Sequence, residues 1–526
     1  MICRPALSRG SQLALRRQGA AKLAQRGFAA VASPKSSYEP TNIAGVKVAS
    51  RDDNGPTTRL AVVAKAGTRY EPTPGLTVGL EEFAFKARLF NTNKRSALRI
   101  TREAELLGGQ LQAYHTREAL VLQANFLRED LPYFTELLAE VLSETRYTTH
   151  EYHEEVQNVI HLKQAKVDAA AVALDAAHSV AFHTGLGAPL YPTPNTPISS
   201  YLNEYSVASF AAAAYTKANI AVVADGASEA GLSKWIEPFF QSVPAQSEST
   251  LSASASKYFG GEQRIARPGR NSLVIAFPGA ALNAPNSPEI AVLVGLLGGE
   301  STIKWSPGFS LLSNAAAAAP GAVAKAANYA YSDAGLLAIQ VNGPAAAVRK
   351  AAEEALKALK GVAEGGVSQE NLAKAIARAK YTVLAGSETS GVGLVQTGTN
   401  LVHGAQVVQA AEAVKALEGV TADKIKEAAK TLLQGKASVA AVGDLHVLPF
   451  AADLGLNGMN SYNRYLAVAA RAVRRSLKED KRLAAERRGQ QELRFAKWTN
   501  GKQGEVRNLA EANAQQAVES AAAGGA

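Results

Sequence analysis

LTVGLEEFAFK, residues 76–86, decides how this chain is read. Its apolar positions repeat as they do on a short helix. Two adjacent acids, Glu81 and Glu82, interrupt them, and no histidine stands beside them in the sequence. An acid on an otherwise apolar helix faces solvent or a metal, because an ionised carboxylate is costly to bury alone. The rest of the chain has to say which.

The chain has 526 residues, 47% apolar and 19% charged, the balance of a globular protein with large cores. No uninterrupted apolar run approaches the roughly 18 residues that span a bilayer. The net charge of +10 is unevenly spread. Residues 1–35 hold seven Lys/Arg and no acid, and residues 460–526 hold thirteen Lys/Arg against seven acids. The body between them has 36 basic and 39 acidic residues, a net of −3. A nucleic-acid binder carries its positive charge on the folded body, so composition argues against that class.

Residues 1–36 are rich in Arg, Ser, Ala and Leu, and the first acid of the chain is Glu39. That is the composition of a mitochondrial transit peptide, with a plausible cut after Phe28; a disordered basic tail is the alternative. Cys3, the only cysteine, lies inside this segment. A mature chain without it has no disulfide, thiolate ligand or cysteine nucleophile.

The body reads as a duplication. KANIAVVAD from Lys217 has its counterpart in KASVAAVGD from Lys436, an offset of 219. A helix opening at the N-cap candidate Thr149 is matched, again 219 residues on, by one opening at Ser368. Amphipathic helices over 131–142 and 345–359 precede them. Near the end, Ala422–Gln434 has Thr421 as its N-cap and Gly435 as its stop. The runs 58–67 and 111–127 have β character. The body therefore divides into two halves, 37–241 and 265–456, joined by a Ser/Ala/Gly-rich linker over 242–264. Helices grouped on one face of a largely antiparallel sheet fit this order in each half.

Residues 457–526 form a tail. From Tyr462 its apolar side chains fall on one helical stripe and Arg464, Arg471, Arg475, Lys478 and Arg482 on another. That pattern reads as a solvated charged face or as a helix that docks on a partner protein.

Three further features invite chemistry. His150-Glu151-Tyr152-His153-Glu154 matches neither register of a two-histidine zinc motif, and acids are favoured at a helix start, so it reads as a solvated helix entrance. His115 has no nucleophile partner and reads as a packed or hydrogen-bonded residue. The glycine-rich run 295–308 lacks the spacing of a phosphate loop, with Lys304 misplaced.

The stretch GLTVGLEEFAFK, with ELLGGQLQAYHTREALVLQANFLREDLPYFTELLAEVL downstream, resembles the pitrilysin-type zinc peptidases. In that family an inverted motif, His-x-x-Glu-His, supplies two zinc ligands and a water-activating glutamate, and a later glutamate completes the site. The resemblance implies an α+β fold of two homologous pitrilysin-like halves, each a mostly antiparallel sheet with helices packed on it, with the helical tail after them. Carried over residue by residue, the first histidine falls on Val78, the catalytic glutamate on Glu81 and the second histidine on Glu82. The downstream ligand falls on Lys163 when residues 87–90 are treated as an insertion. A catalytic zinc takes three protein ligands and an open position; valine cannot ligate and lysine repels a cation. The motif is therefore degenerate, with no catalytic residue, metal or cofactor expected, and the two acids are expected to pair with basic side chains or water.

Mitochondrial members of the family include the processing-peptidase subunits and the large core proteins of the cytochrome b-c1 complex, respiratory complex III. The run NTNKRSALRITREAELLGGQLQAYHTREALVL looks most like the core-protein branch. That resemblance, over about residues 37–450, implies a non-catalytic scaffold on the matrix face of the inner membrane, partnered by a companion core protein and the redox subunits. The runner-up within the family is a processing peptidase subunit that removes or recognises presequences. The tail, over about residues 461–508, resembles the epsilon subunits of the mitochondrial ATP synthase stalk, which implies contact with that stalk. The two methionines are Met1 and Met459, and Met459 sits at the join. Two proteins merged by a gene fusion or a mis-joined gene model account for that arrangement.

Overall fold

The β-rich runs resolve into strands, and over 60–64 and 120–124 successive residues are buried on both faces. The computed structural model describes residues 37–456 except 87–90, 195, 197, 199–200, 248–250, 252, 300–307, 309 and 389–390, and beyond them only 512, 513 and 515. The chain divides into two units, Met1–Gly458 and Met459–Ala526. The expected transit peptide, the 87–90 insertion, Lys304 and the stripes of the tail lie outside the described residues.

The first sheet comprises β1 Glu39–Ile43, β2 Val46–Arg51, β3 Thr57–Ala64, β4 Gln110–His115, β5 Leu120–Leu127 and β6 Ile220–Asp225, in the order β1-β2-β6-β3-β5-β4. The second comprises β7 Gly261–Ala266, β8 Asn271–Pro278, β9 Val323–Ala330, β10 Gly335–Gly343 and β11 Ser438–Gly443, in the order β7-β11-β8-β10-β9. Without the extra edge strand β1 the two orders correspond strand for strand. In each, one pair is parallel, β2 with β6 and β7 with β11, and the rest are antiparallel. The run 111–127 is a hairpin rather than one strand. Its turn closes where the Thr116 N–H donates to the Ala119 carbonyl at 2.7 Å.

In chain order the first half carries α1 Leu76–Glu81, α2 Ala97–Leu106, α3 Leu131–Glu144, α4 Gln157–Lys166, α5 Ala169–Phe182, α6 Glu204–Ala214 and α7 Glu229–Phe239. The second carries α8 Ser287–Leu297, α9 Leu311–Ala317, α10 Ala345–Glu364, α11 Gln369–Glu388, α12 Val392–Val402, α13 Ala410–Glu418 and α14 Ala422–Gln434. α14 begins after Thr421, as its sequence predicts, but no side-chain cap bond forms there. Gly435 comes next with φ −69°, an ordinary conformation that any residue adopts. The residue capping the helical turn at Thr149 is Thr148, one position earlier than expected.

The expectation of helices on a single face needs correcting. One face of the first sheet, through Leu60, Val62, Val222 and Ala224, packs on helices of its own half. Its other face, through Ala61, Val63, Ala221 and Val223, is covered by Leu394 and Val402 of α12, a helix of the second half. The second sheet is treated reciprocally. α5 lays Ala173, Ala177, Ala181 and Phe182 on Val274, Ala276, Leu336 and Ala440. Continuous apolar strands such as β6 and β11 are what burial on both faces requires. β7 opens at Gly261, so the second sheet starts within the Ser/Ala/Gly-rich stretch.

Candidate functional site

All six residues of α1 are buried, Glu81 among them. The helix is short, and its start is built by the chain before it. Gly75 takes φ +99°, where a side chain is strained, and a Cβ there would also meet Ile198 at 3.2 Å. Glu71 does the capping: its carboxylate accepts from the N–H groups of Gly75 at 3.2 Å and Thr77 at 3.1 Å. Burial pushes the Glu71 carboxyl up to about 8 despite these bonds. From Glu82 to Lys86 the backbone widens into a π turn, an irregularity found often at functional sites. The segment carrying Lys163 has one too, at Tyr152–Val156, before α4 begins. Each π turn inserts about one residue and so rotates the downstream side chains by roughly 100° about the helix axis.

These elements bring Glu81, Glu82 and Lys163 together. The Lys163 ammonium lies 3.4 Å from Glu81 Oε1 and bonds directly to Glu82 Oε1. Both carboxylates are buried, Glu81 fully. The fourth member is His115, the histidine expected to be packed or hydrogen-bonded, which lies outside the motif. Its Nδ1 bonds Glu81 Oε2, and its Nε2 lies 2.8 Å from the Leu190 carbonyl. A carbonyl can only accept, so Nε2 carries a proton, and a second proton lies in the contact with Glu81. Tyr191 closes the cluster. The Lys163 ammonium stands 5.3 Å over its ring, and the His115 ring meets it edge-on at 5.2 Å. Neither Tyr191 nor His115 has a signal in the spacing of the motif; only folding of β4 and of the 190–191 loop onto α1 joins them.

The zinc that the fold family implies does not fit these residues. Val78 presents buried hydrocarbon. At the third position stands an ammonium that engages both acids, supplying the positive charge itself. Among the described residues no group of three or more His, Cys, Asp or Glu side chains is arranged to hold a metal ion. The cluster balances charge: two buried carboxylates are held by a lysine and a histidine.

The remaining candidates are spread out. His150 and His153 are exposed at the helix entrance, and His153 Nδ1 contacts Gln157 at 3.0 Å. A separate ionic hub joins the two halves. Arg69 bonds Glu118 at 2.7 Å and Asp333 at 2.6 Å, and Glu118 accepts from Ser332 N–H at 2.8 Å. Nearby, His178 of α5 donates from Nδ1 to the Leu174 carbonyl at 2.8 Å, leaving Nε2 to accept from Tyr331 O–H at 2.8 Å. Burial holds the His178 imidazole well below its ordinary range, and the Arg117 charge adds to this.

Comparison with known proteins agrees with this architecture. Residues 47–194 match the insulinase family (peptidase family M16), residues 201–379 the peptidase M16 inactive domain, and residues 458–501 the mitochondrial ATP synthase epsilon chain. The chain is 74% identical to cytochrome b-c1 complex subunit 2 of Neurospora crassa over 457 residues, 87% of this chain and all of that protein. It is 39% identical to the Cryptococcus neoformans subunit 2 over 79% of this chain and 94% of that one. For the mouse subunit 2 the identity is 29%, over 78% of this chain and 90% of that protein. Two peptidase-like halves with a lysine seated between the acids of the motif, and this breadth of similarity, lead to one conclusion: the chain belongs to the cytochrome b-c1 complex subunit 2 family, non-catalytic homologues of the M16 peptidases.

Proposed function

We propose that the body of this protein is a structural core subunit of the mitochondrial cytochrome b-c1 complex, respiratory complex III. It supports assembly and electron transport from ubiquinol to cytochrome c without itself carrying a redox centre. In this reading it sits peripherally on the matrix side of the inner membrane, paired with core protein 1 and other subunits of the complex. No described helix is long and apolar enough to cross a membrane. The single observation that supports the reading most is the identity of 74% over the whole length of the Neurospora subunit 2.

Val78, Glu81, Glu82 and Lys163 are then a degenerate peptidase motif with no catalytic, cofactor or metal role. The halves 37–241 and 265–456, with 242–264 between them, form the scaffold. Purifying complex III by an affinity tag on another of its subunits tests this directly. The chain is expected in the complex at one copy per copy of the tagged subunit, with no zinc. Stoichiometric zinc, or cleavage of a presequence peptide by the purified protein, would overturn it in favour of a processing peptidase.

The tail carries a separate reading because residues 458–501 match the epsilon family of ATP synthase. We propose that residues 457–526 are an epsilon-like stalk segment, whose contact would be the ATP synthase stalk. Leu448, Ala451, Leu454 and Leu456 pack into the second core, so the body ends well packed just where the tail begins. Tryptic mass spectrometry of mitochondria decides between a fusion and two proteins. Finding the peptide 437–464, which crosses the join, at the abundance of its neighbours supports a fusion. Peptides from both sides without that one mean two separate proteins.

A further inference from the structure

The two sheets differ at one edge. In the first, the outer side of β2 is taken by β1, whose residues Glu39–Ile43 pair antiparallel with residues 46–50. In the second, β7 holds the place of β2, parallel to β11 as β2 is to β6, and it is the last strand of its sheet. We propose that the free edge of β7 is a docking site for an extended acidic segment of a partner chain, which adds to the sheet as one antiparallel strand.

The hydrogen-bond phase of β7 fixes which groups face outward. The Gly261 N–H bonds the Ala437 carbonyl at 3.0 Å and the Arg267 N–H bonds the Gly443 carbonyl at 3.4 Å, so the odd-numbered residues turn to β11. The N–H and C=O groups of Glu262, Arg264 and Ala266 then point away from it, and no described residue bonds them. The chain itself leaves this edge bare. Before β7 it is drawn off, with the Phe259 N–H on the Ala181 carbonyl and the Ser256 N–H on Asp333, each at 2.8 Å. After β11 it covers a face of β7 rather than the edge: Arg264 bonds the carbonyls of Leu445 at 2.7 Å and Leu448 at 2.9 Å, and Glu262 accepts from the Ala451 N–H at 3.2 Å. Those two charges are therefore turned onto the loop and do not guard the edge. β7 has no proline, lysine or bulge either, the devices that keep other strands off.

The surroundings select the occupant. Lys257 and Lys436 are exposed near the start of β7, and Arg267 and the exposed Arg270 follow its end. Among the acids, Glu262 is paired with Arg264 at 3.0 Å, while Asp444 and Asp453 hold the N–H groups of His446 and Phe450 in their own loop. The excess is basic, which favours an acidic strand and disfavours a second copy of β7 with the same charges. Phe450, 49% exposed with the Arg264 guanidinium 3.8 Å from its ring centre, offers apolar surface to an incoming side chain. Strand addition of this kind draws affinity from main-chain bonds and selectivity from such neighbours.

The test titrates the full chain with the fluorescein-labelled peptides EVEVEVE and KVKVKVK, followed by anisotropy at low salt. The acidic peptide is expected to saturate and to bind about tenfold more tightly than the basic one, a preference that salt screens. Its binding should slow hydrogen exchange at the amides of Glu262, Arg264 and Ala266 and leave those of Gln263 and Ile265 as they were. Ala266→Pro removes an outward N–H without touching the bonds to β11, and it should weaken EVEVEVE by about tenfold. Lys257→Glu with Arg270→Glu, both at exposed positions, should weaken EVEVEVE and strengthen KVKVKVK; this pair decides the matter should Ala266→Pro lose its native circular dichroism. Absence of saturable binding, equal affinity for the two peptides, or protection that appears on β4 or β9 instead would overturn the proposal. So would protection of the three outward amides in the peptide-free protein together with a dimer in sedimentation, which would make the occupant a second copy.

Discussion

Lys163 sits against two acids that burial would otherwise make untenable, and its side chain is about one-quarter exposed. Removing one partner of such a pair leaves uncompensated buried charge, a loss of about 3–5 kcal/mol. Lys163→Met should therefore lower the unfolding free energy measured in urea by that amount, and adding Glu82→Gln to it should recover part. If Lys163→Met denatures like the wild type, the ammonium is not what holds the cluster. His178 gives a prediction in pH. Its folded-state pKa lies well below the ordinary 6.5, so above pH 6.5 both folded and unfolded chains hold it neutral. Below 6.5 the unfolded chain takes up a proton that the folded chain refuses, and stability falls by up to about 1.4 kcal/mol per pH unit. Urea midpoints at pH 7.5 and 5.5 should draw apart less in His178→Asn than in the wild type. Glu81 and Glu82 were legible in the sequence as an anomaly. His115 was legible only as a lone histidine, because its partner is 34 positions away on another element.

At the scale of elements, the exchange of α5 and α12 depends on close approach. Gly398 of α12 has no room for a side chain: a Cβ there would lie 2.4 Å from Val63 Cγ2 and 2.9 Å from Val63 Cβ. The second contact is to an atom fixed to the backbone, so a rotamer change does not relieve it. Gly398→Ala gains helix propensity of about 1 kcal/mol but overpacks the sheet by about 1–3 kcal/mol. A net loss in melting temperature is expected, and it should grow in Gly398→Leu. A more stable Gly398→Leu would mean that α12 is not seated on β3. α5 uses the opposite device for the same end, a face of alanines, which lets a helix lie close to β8 and β11. Both helices have apolar faces in the sequence, yet nothing local states which sheet each one covers.

Across the whole body, reciprocal covering means that neither half can bury its own sheet. Each half expressed alone leaves one apolar sheet face bare and one helix without a surface, and it lacks bonds such as Arg69 to Asp333 and Tyr331 to His178. Residues 37–255 and 256–458 made separately should aggregate, whereas together they should assemble into a heterodimer with the far-ultraviolet spectrum of the intact body. Size-exclusion chromatography of each alone and of the mixture checks this. A soluble, cooperatively melting half would refute the interdependence.

The sequence by itself determined the duplication, the α+β class, the resemblance to the peptidase family and the anomaly at Val78, Glu81 and Glu82. All of these are written in local periodicity and in residue types at fixed spacing, which chain chemistry expresses within a few turns of backbone. The tertiary structure decided the rest. It seated His115 and Lys163 on the two acids, sent α5 and α12 across to each other's sheets and left the outer edge of β7 bare. Those outcomes depend on contacts between residues that lie tens to hundreds of positions apart. Their free energy comes from burying both faces of two sheets at once, a requirement that no single stretch of chain can express.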